Sequence, residues 1–403
     1  MSARLTSVPL PPTFAAATVP DTLSLPSSPL RPKCSAQERI FRWRGVNTPP
    51  ASTIANPIIR HLDDLASHAS LRDGTLAGYG TALRKFMLFC TIFSIPEADR
   101  LPASFPLLKS FVLWASTDPD PNDPILAGGT PFEPVSVTTA RRYLAGIRAW
   151  HIAQGFPPPL SDTDLSSIGW TLRGLDQLQG TRRRRPPRPP VTLRLLALLK
   201  STLRIDEPFD ACVWAAASCS FWGMMRFGEV SVSSRTSFDG AKHLKRCDVF
   251  VGHDLDQRLY ARLDLPLAKT AKPGETQQVF VTRQGELCAI AALRNLSSIV
   301  PAGPQDPLFS WRDCHGNIRP LVRDAALTRI NDVFQSLNVG TTFGHSFRIG
   351  GASFYLAQKV DPEIVRISGR WKSLAYQTYI RAFEQIASRH LAGLEQRAVA
   401  GHQ

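Results

Sequence analysis

Apolar side chains recur at helical spacing through the first half of the chain and alternate along one short stretch of the second. Between residues 57 and 180, the segments TLAGYGTALRKFMLFCTIF and SVTTARRYLAGIRAWHIAQG set apolar positions every three to four residues beside basic ones. Leu76, Tyr79, Leu83 and Phe86 form one such stripe, which predicts an amphipathic helix with Arg84 and Lys85 pointing elsewhere. Arg141 and Arg142 are the basic residues of the second segment. From Ala211 to Met225 the chain is almost wholly apolar, which predicts a buried helix, and at 15 residues that run is too short to span a bilayer. Leu259, Ala261, Leu263 and Leu265 then alternate, a Lys/Pro/Gly turn follows, and Val279 to Val281 resume the apolar pattern, which predicts a β-hairpin. Asp361 with Pro362 marks a helix start, and Gly369 suits a left-handed helix end. Ser373 is expected to cap a following helix that carries Tyr379 and extends through residues 381–396. The fold class expected is mainly α with a small antiparallel β-sheet, that is, α+β.

Composition divides the chain further. Residues 1–56 are rich in Pro, Ser, Thr and Ala with few acidic groups and are expected to be a disordered tail. Residues 57–180 form a helical domain. Residues 181–191 contain the run TRRRRPPRPP, a basic linker that proline holds extended, in which Arg182, Arg183, Arg184, Arg185 and Arg188 suit a phosphate backbone. The same run fits a nuclear import signal. A second domain spans residues 192–397, and residues 398–403 are a tail. With 47 Lys and Arg against 33 Asp and Glu, the net charge of +14 favours a polyanionic partner. Seven cysteines without a CxxC pair or a His/Cys cluster argue against a disulfide framework or a structural zinc and for a reducing, intracellular setting. No secretory leader is expected at the N-terminus, and no membrane association.

Chemistry concentrates near the C-terminal end. His345 and Arg348 in HSFR lie three apart, so a helix would present an imidazole and a guanidinium on one face. An arginine fork matches a phosphate, a histidine can hold or move a proton, and Tyr379 supplies an oxygen nucleophile. Upstream, FWGMMRFGEV places Arg226 at the end of the buried run with Glu229 at i,i+3. That pair on a surface would contribute only a few tenths of a kcal/mol, but a charge leaving a buried helix is costly and usually has a purpose.

These pieces, in this order, resemble the active-site signature of the tyrosine recombinases, the family of Cre and lambda integrase. The resemblance makes Arg226 and Arg348 the phosphate clamps, His345 the proton acceptor, Trp371 a hydrogen-bonding ring on the phosphate and Tyr379 the nucleophile. Glu229 would orient Arg226. A hairpin-turn lysine would protonate the departing 5′ oxygen, with Lys269 in AKT preferred over Lys272. Tyr376 and Tyr379 lie five and eight residues beyond Trp371, against about nine in the family, so Tyr379 fits better. With Arg370 in that position instead, the site would lack the ring. The GRWKSLAYQTYIR form resembles the recombinases of eukaryotic mobile elements such as Cryptons, and the resemblance makes residues 57–180 a core-binding DNA domain. The implied function is a site-specific recombinase or integrase working through a 3′-phosphotyrosyl intermediate on double-stranded DNA. A homo-oligomer on DNA, no cofactor and no metal are expected, with a nuclear location if the source is eukaryotic. A type IB topoisomerase-like enzyme and a catalytically decayed DNA-binding protein are the alternatives.

Overall fold

Leu76, Leu83 and Phe86 are buried and Tyr79 is half-buried along one helix, as their spacing predicts. The computed structural model describes residues 25–50, 56–118, 134–180, 188–267 and 275–372. They fall into two units, one ending at Arg185 and the other beginning at Pro186.

The first unit is helical: α1 (Arg39–Arg42), α2 (Pro57–Ala69), α3 (Asp73–Ile92), α4 (Glu97–Arg100), α5 (Phe105–Ser116), α6 (Val137–Ala153) and α7 (Asp162–Gln179). Its core joins Leu83 and Phe86 of α3 to Phe111 of α5 and to Ile147 and Trp150 of α6. Sequence patterning also fixes the ends. Ser136 accepts from the Thr139 amide at 3.3 Å, and Ser161 and Asp164 cap α7 reciprocally. One expectation is corrected here: residues 25–50, assigned to a disordered tail, supply Ile40 and Trp43 to this core, exposed 1% and 6%. Two buried bonds hold them. Trp150 Nε1 donates to the Trp43 carbonyl at 2.7 Å and Gln154 Nε2 to that of Ile40 at 3.0 Å. Leu25, Cys34 and Phe41 pack on the same core, a placement that the average composition of the segment does not reveal. Arg84 and Lys85 flank the stripe half-buried, with the Lys85 ammonium 5.9 Å from the Tyr143 ring centroid, while Arg141 and Arg142 are exposed.

The second unit contains α8 (Leu193–Thr202), α9 (Pro208–Trp222), β1 (Val249–His253), β2 (Leu259–Leu265), β3 (Gln277–Thr282), α10 (Ala289–Ile299), β4 (Ser310–Arg312), β5 (Ile318–Pro320), α11 (Arg323–Ser336), α12 (Ser346–Ala357) and α13 (Pro362–Ser368). From Asp210 to Trp222, α9 is buried on every side, enclosed by α8, α10, α11, α12 and β4. Its one buried acid, Asp210, receives Arg329 through two bonds of 2.8 and 2.7 Å. The predicted hairpin is β2 with β3, and β1 adds a third antiparallel strand in the order β1-β2-β3. Ala261, Leu263, Leu265, Val279 and Val281 point into the core, as alternation requires. Val191, assigned to the linker, is 1% exposed in this core, and its amide donates to the Ser346 carbonyl at 2.9 Å. No helix among the described residues is long and apolar enough to cross a membrane. The fold class is mainly α with small antiparallel sheets, as the sequence predicts.

Candidate active site

The C-terminal end of α9 sets the first arginine. Gly223 follows the helix, where an added Cβ would come within 2.6 Å of Val279 Cγ1, and Met224 turns the chain at φ +45°. Arg226 then opens a short 3-10 turn, Phe227–Glu229. Its Nη1 donates to Glu229 Oε1 at 2.8 Å, and its amide donates to Oε2 at 2.9 Å. The Arg226 side chain remains 19% exposed, while that of Glu229 is 8% exposed.

Two glycines bring α12 against α9 and against the segment that precedes α8. A Cβ on Gly351 would sit 2.0 Å from the Phe221 carbonyl oxygen, and one on Gly350 would sit 1.9 Å from that of Val191. Neither approach tolerates a side chain. His345 is the residue preceding the helix, half-buried, and Arg348 lies in its first turn, fully buried. Arg348 donates from Nη1 to the Met224 carbonyl and from Nη2 to the Gly369 carbonyl at 2.6 Å. Its guanidinium carbon lies 4.1 Å from the Trp371 ring centroid. Two carbonyls and an aromatic face thus offset the desolvation of this charge.

The α13 end supplies the rest. Asp361 accepts from the Glu363 amide, with Pro362 at the first helical position, as predicted. Gly369 differs from expectation: its φ is −77°, and the left-handed residue is Arg370, at +59°. Glycine is needed at 369 for space, because a Cβ there would fall 1.6 Å from Trp371 Cζ3. The turn lets the Trp371 ring fold back toward Arg348 and sends Arg370 to Glu229, Nη2 to Oε2 at 2.6 Å.

The imidazole of His345 is held down to about 4, first by burial and then by the positive charges of Arg188, Arg348, Arg226 and Arg323. It is therefore neutral at physiological pH and lies in a strongly cationic field that favours an anion.

Of the sequence-predicted residues, Arg226, Glu229, His345, Arg348 and Trp371 come together, drawn from three separated segments. Lys269, Lys272, Tyr376, Tyr379, the arginines 182–185 and the helix after Ser373 lie outside the described residues. Arg188, expected to meet the DNA backbone from the linker, is exposed, 5.9 Å from the Phe343 ring centroid and near enough to His345 to act on it. Arg323 was not singled out by sequence, and Arg370, whose side chain is 6% exposed, was weighed only as an alternative to Trp371. No sequence signal tied Arg370 to the site, because its partner Glu229 lies 141 positions away in the chain.

Comparison of the whole architecture gives the fold its name. The post-cleavage complex of XerH site-specific recombinase on a palindromic difH substrate matches with a TM-score of 0.51 at 11% identity, covering 90% of this chain and 95% of that one. This is the tyrosine recombinase fold. The pre-cleavage XerH complex gives a TM-score of 0.48 at 14% identity, covering 89% and 98%. A lambda integrase dimer bound to a COC′ core site gives 0.45 at 12% identity, covering 80% and 94%. No family model matches the chain, and no curated protein does. At these identities the likeness extends to the tyrosine recombinase fold and no further.

Proposed function

We propose that this protein breaks and rejoins DNA strands as a site-specific recombinase or integrase, through a covalent 3′-phosphotyrosyl link. The observation that carries the reading is the convergence of Arg226, His345, Arg348 and Trp371 on one cationic spot from three distant segments. In this reading Tyr379 Oη attacks the scissile phosphorus, the bond to the 5′ oxygen breaks, and the bond energy is kept in the phosphotyrosyl intermediate. The phenol proton passes to His345, and Lys269 gives a proton to the leaving oxygen. A neutral imidazole suits acceptance, and a bound phosphate, by cancelling the surrounding positive charge, raises its basicity when it is needed.

The two arginines divide the work. Arg226, partly exposed and fixed by Glu229, is the guanidinium ready to meet a non-bridging oxygen. Arg348 fastens the 224 turn to the 369–371 segment and lies against the Trp371 ring, so it sets the position of the indole as well as carrying charge at the site. Loss of either is expected to cost on the order of 10²-fold or more in cleavage. Residues 57–180 act as the core-binding domain, Arg141 and Arg142 meet backbone phosphates, and two or more copies assemble on the duplex. The arginine-rich linker doubles as an import signal in a nucleated cell.

The test is trapping on a nicked suicide duplex, comparing wild type with Tyr379→Phe and Tyr376→Phe. The proposal expects a covalent adduct that Tyr379→Phe abolishes. An adduct lost only with Tyr376→Phe would move the nucleophile. The complete burial of Arg348 favours one second reading, a DNA-binding protein of recombinase descent without strand cleavage. Duplex binding with no adduct on several substrates would establish it.

A further inference from the structure

An antiparallel sheet with one face on the core ordinarily turns polar residues to water. The outer face of the β1-β2-β3 sheet departs from that rule. Phe250, Tyr260 and Phe280, one from each strand, stand on it, with Phe250 48% and Phe280 54% exposed. Ring centroids of Phe250 and Tyr260 lie 6.1 Å apart, as do those of Tyr260 and Phe280. Arg262 pairs with Phe250 on one side and Phe280 on the other, and its guanidinium lies 5.4 Å from the Phe250 centroid.

Beside this row opens a concavity of about 1540 Å³, lined by Tyr260 and Phe280 together with His253, Arg258, Arg283 and Arg294. The arginines are exposed. Asp254 also lines it, but its Oδ1 accepts from the amides of Asp256 and Arg258 at 2.9 and 2.8 Å and closes the β1–β2 turn. Arg258 meets Asp256 at 3.4 Å, an exposed pair, whereas Arg283 and Arg294 form no ion pair with a described residue. The concavity sits at the β1–β2 turn. The connection that contains Lys269 is at the opposite end of β2, roughly 20 Å of strand away at about 3.3 Å per residue.

Exposed rings beside a basic groove are the means by which proteins hold unpaired nucleotides: bases stack on the aromatics and phosphates meet the arginines. Paired bases in a duplex are stacked on one another and offer their faces to nothing else. We propose that this sheet face binds single-stranded DNA. The choice of DNA over RNA rests on the strand-breaking reading above, whereas the stacking and charge argument stands without it.

The experiment is fluorescence anisotropy of the full chain with a labelled thymidine oligonucleotide, the matching uridine oligonucleotide, and a blunt DNA duplex. Expected for Phe280→Ala is a loss of single-strand affinity of about 5- to 150-fold, the range for removal of one stacking ring. Duplex affinity should stay within about twofold. Phe280→Trp, which keeps a stacking surface, should retain single-strand binding and thereby separates stacking from misfolding. Arg283→Ala should weaken single-strand binding and lower its salt dependence. Single-strand affinity unchanged in Phe280→Ala, or lost equally in Phe280→Trp, would overturn the proposal. So would tighter binding of the uridine strand. Single-strand binding in a chain that forms no covalent adduct on any suicide duplex would remove the strand-breaking reading and uphold this one.

Discussion

Arg370 donates to Glu229 at 2.6 Å with both side chains nearly out of water, 6% and 8% exposed. The same carboxylate holds Arg226 at 2.8 Å, so one negative charge serves two guanidiniums. Glu229→Ala would leave both uncompensated and is expected to cost about 3–5 kcal/mol, the usual range for breaking a buried pair from one side. Arg370→Met should cost clearly less, because Glu229 keeps Arg226. Urea unfolding of the two variants checks the order, and equal losses would contradict the shared-carboxylate arrangement.

A second expectation concerns two glycines that have different neighbours. At Gly351 a methyl group meets the backbone oxygen of Phe221, which cannot rotate away, so α12 must shift from α9. Gly351→Ala is expected to destabilise by about 1–3 kcal/mol or more, as overpacking does. At Gly369 the obstacle is the Trp371 side chain, which can swing out. Gly369→Ala should therefore unfold closer to wild type in a thermal scan while losing the Trp371–Arg348 contact and, with it, adduct formation.

These two positions also show what the sequence could and could not reveal. The apolar run of α9, the alternation of β2 and β3 and the Asp361-Pro362 start are local signals, and each produced the element expected. Gly369 looked like a left-handed end because glycine usually is one there, yet the ring two residues on determines its use. Ile40 and Trp43 join a core through bonds to residues more than a hundred positions away, which no window of sequence contains. Arg226, His345, Arg348 and Trp371 were legible as chemical types in order. That Arg348 reaches the Met224 and Gly369 carbonyls, and that Arg370 is drawn in, depends on how the turns fold.

The pH dependence of the second unit follows from His345. Its folded value of about 4 lies below the ordinary 6.5, so between those values the unfolded chain binds the extra proton. Stability contributed by the neutral imidazole is complete above about pH 6.5 and is lost as pH falls toward 4. His345→Gln should flatten that slope. Unfolding free energies of wild type and variant measured at several pH values test it, and parallel curves would refute the assignment.

Arg141 and Arg142 are exposed on α6, and in the DNA-binding reading they meet phosphates. Each phosphate contact contributes about 0.9 to the slope of log affinity against log salt. Replacing both by alanine is expected to reduce that slope by about 2 on duplex DNA. An unchanged slope would place the duplex on another surface.

Because α9 has no face open to solvent, Cys212 and Cys219 are sealed within it, and burial pushes both thiols far up. Cys247 and Cys314 are exposed. The chain thus carries its own clock: an alkylating reagent marks the outer pair at once, and the inner pair only when the second unit opens as a whole.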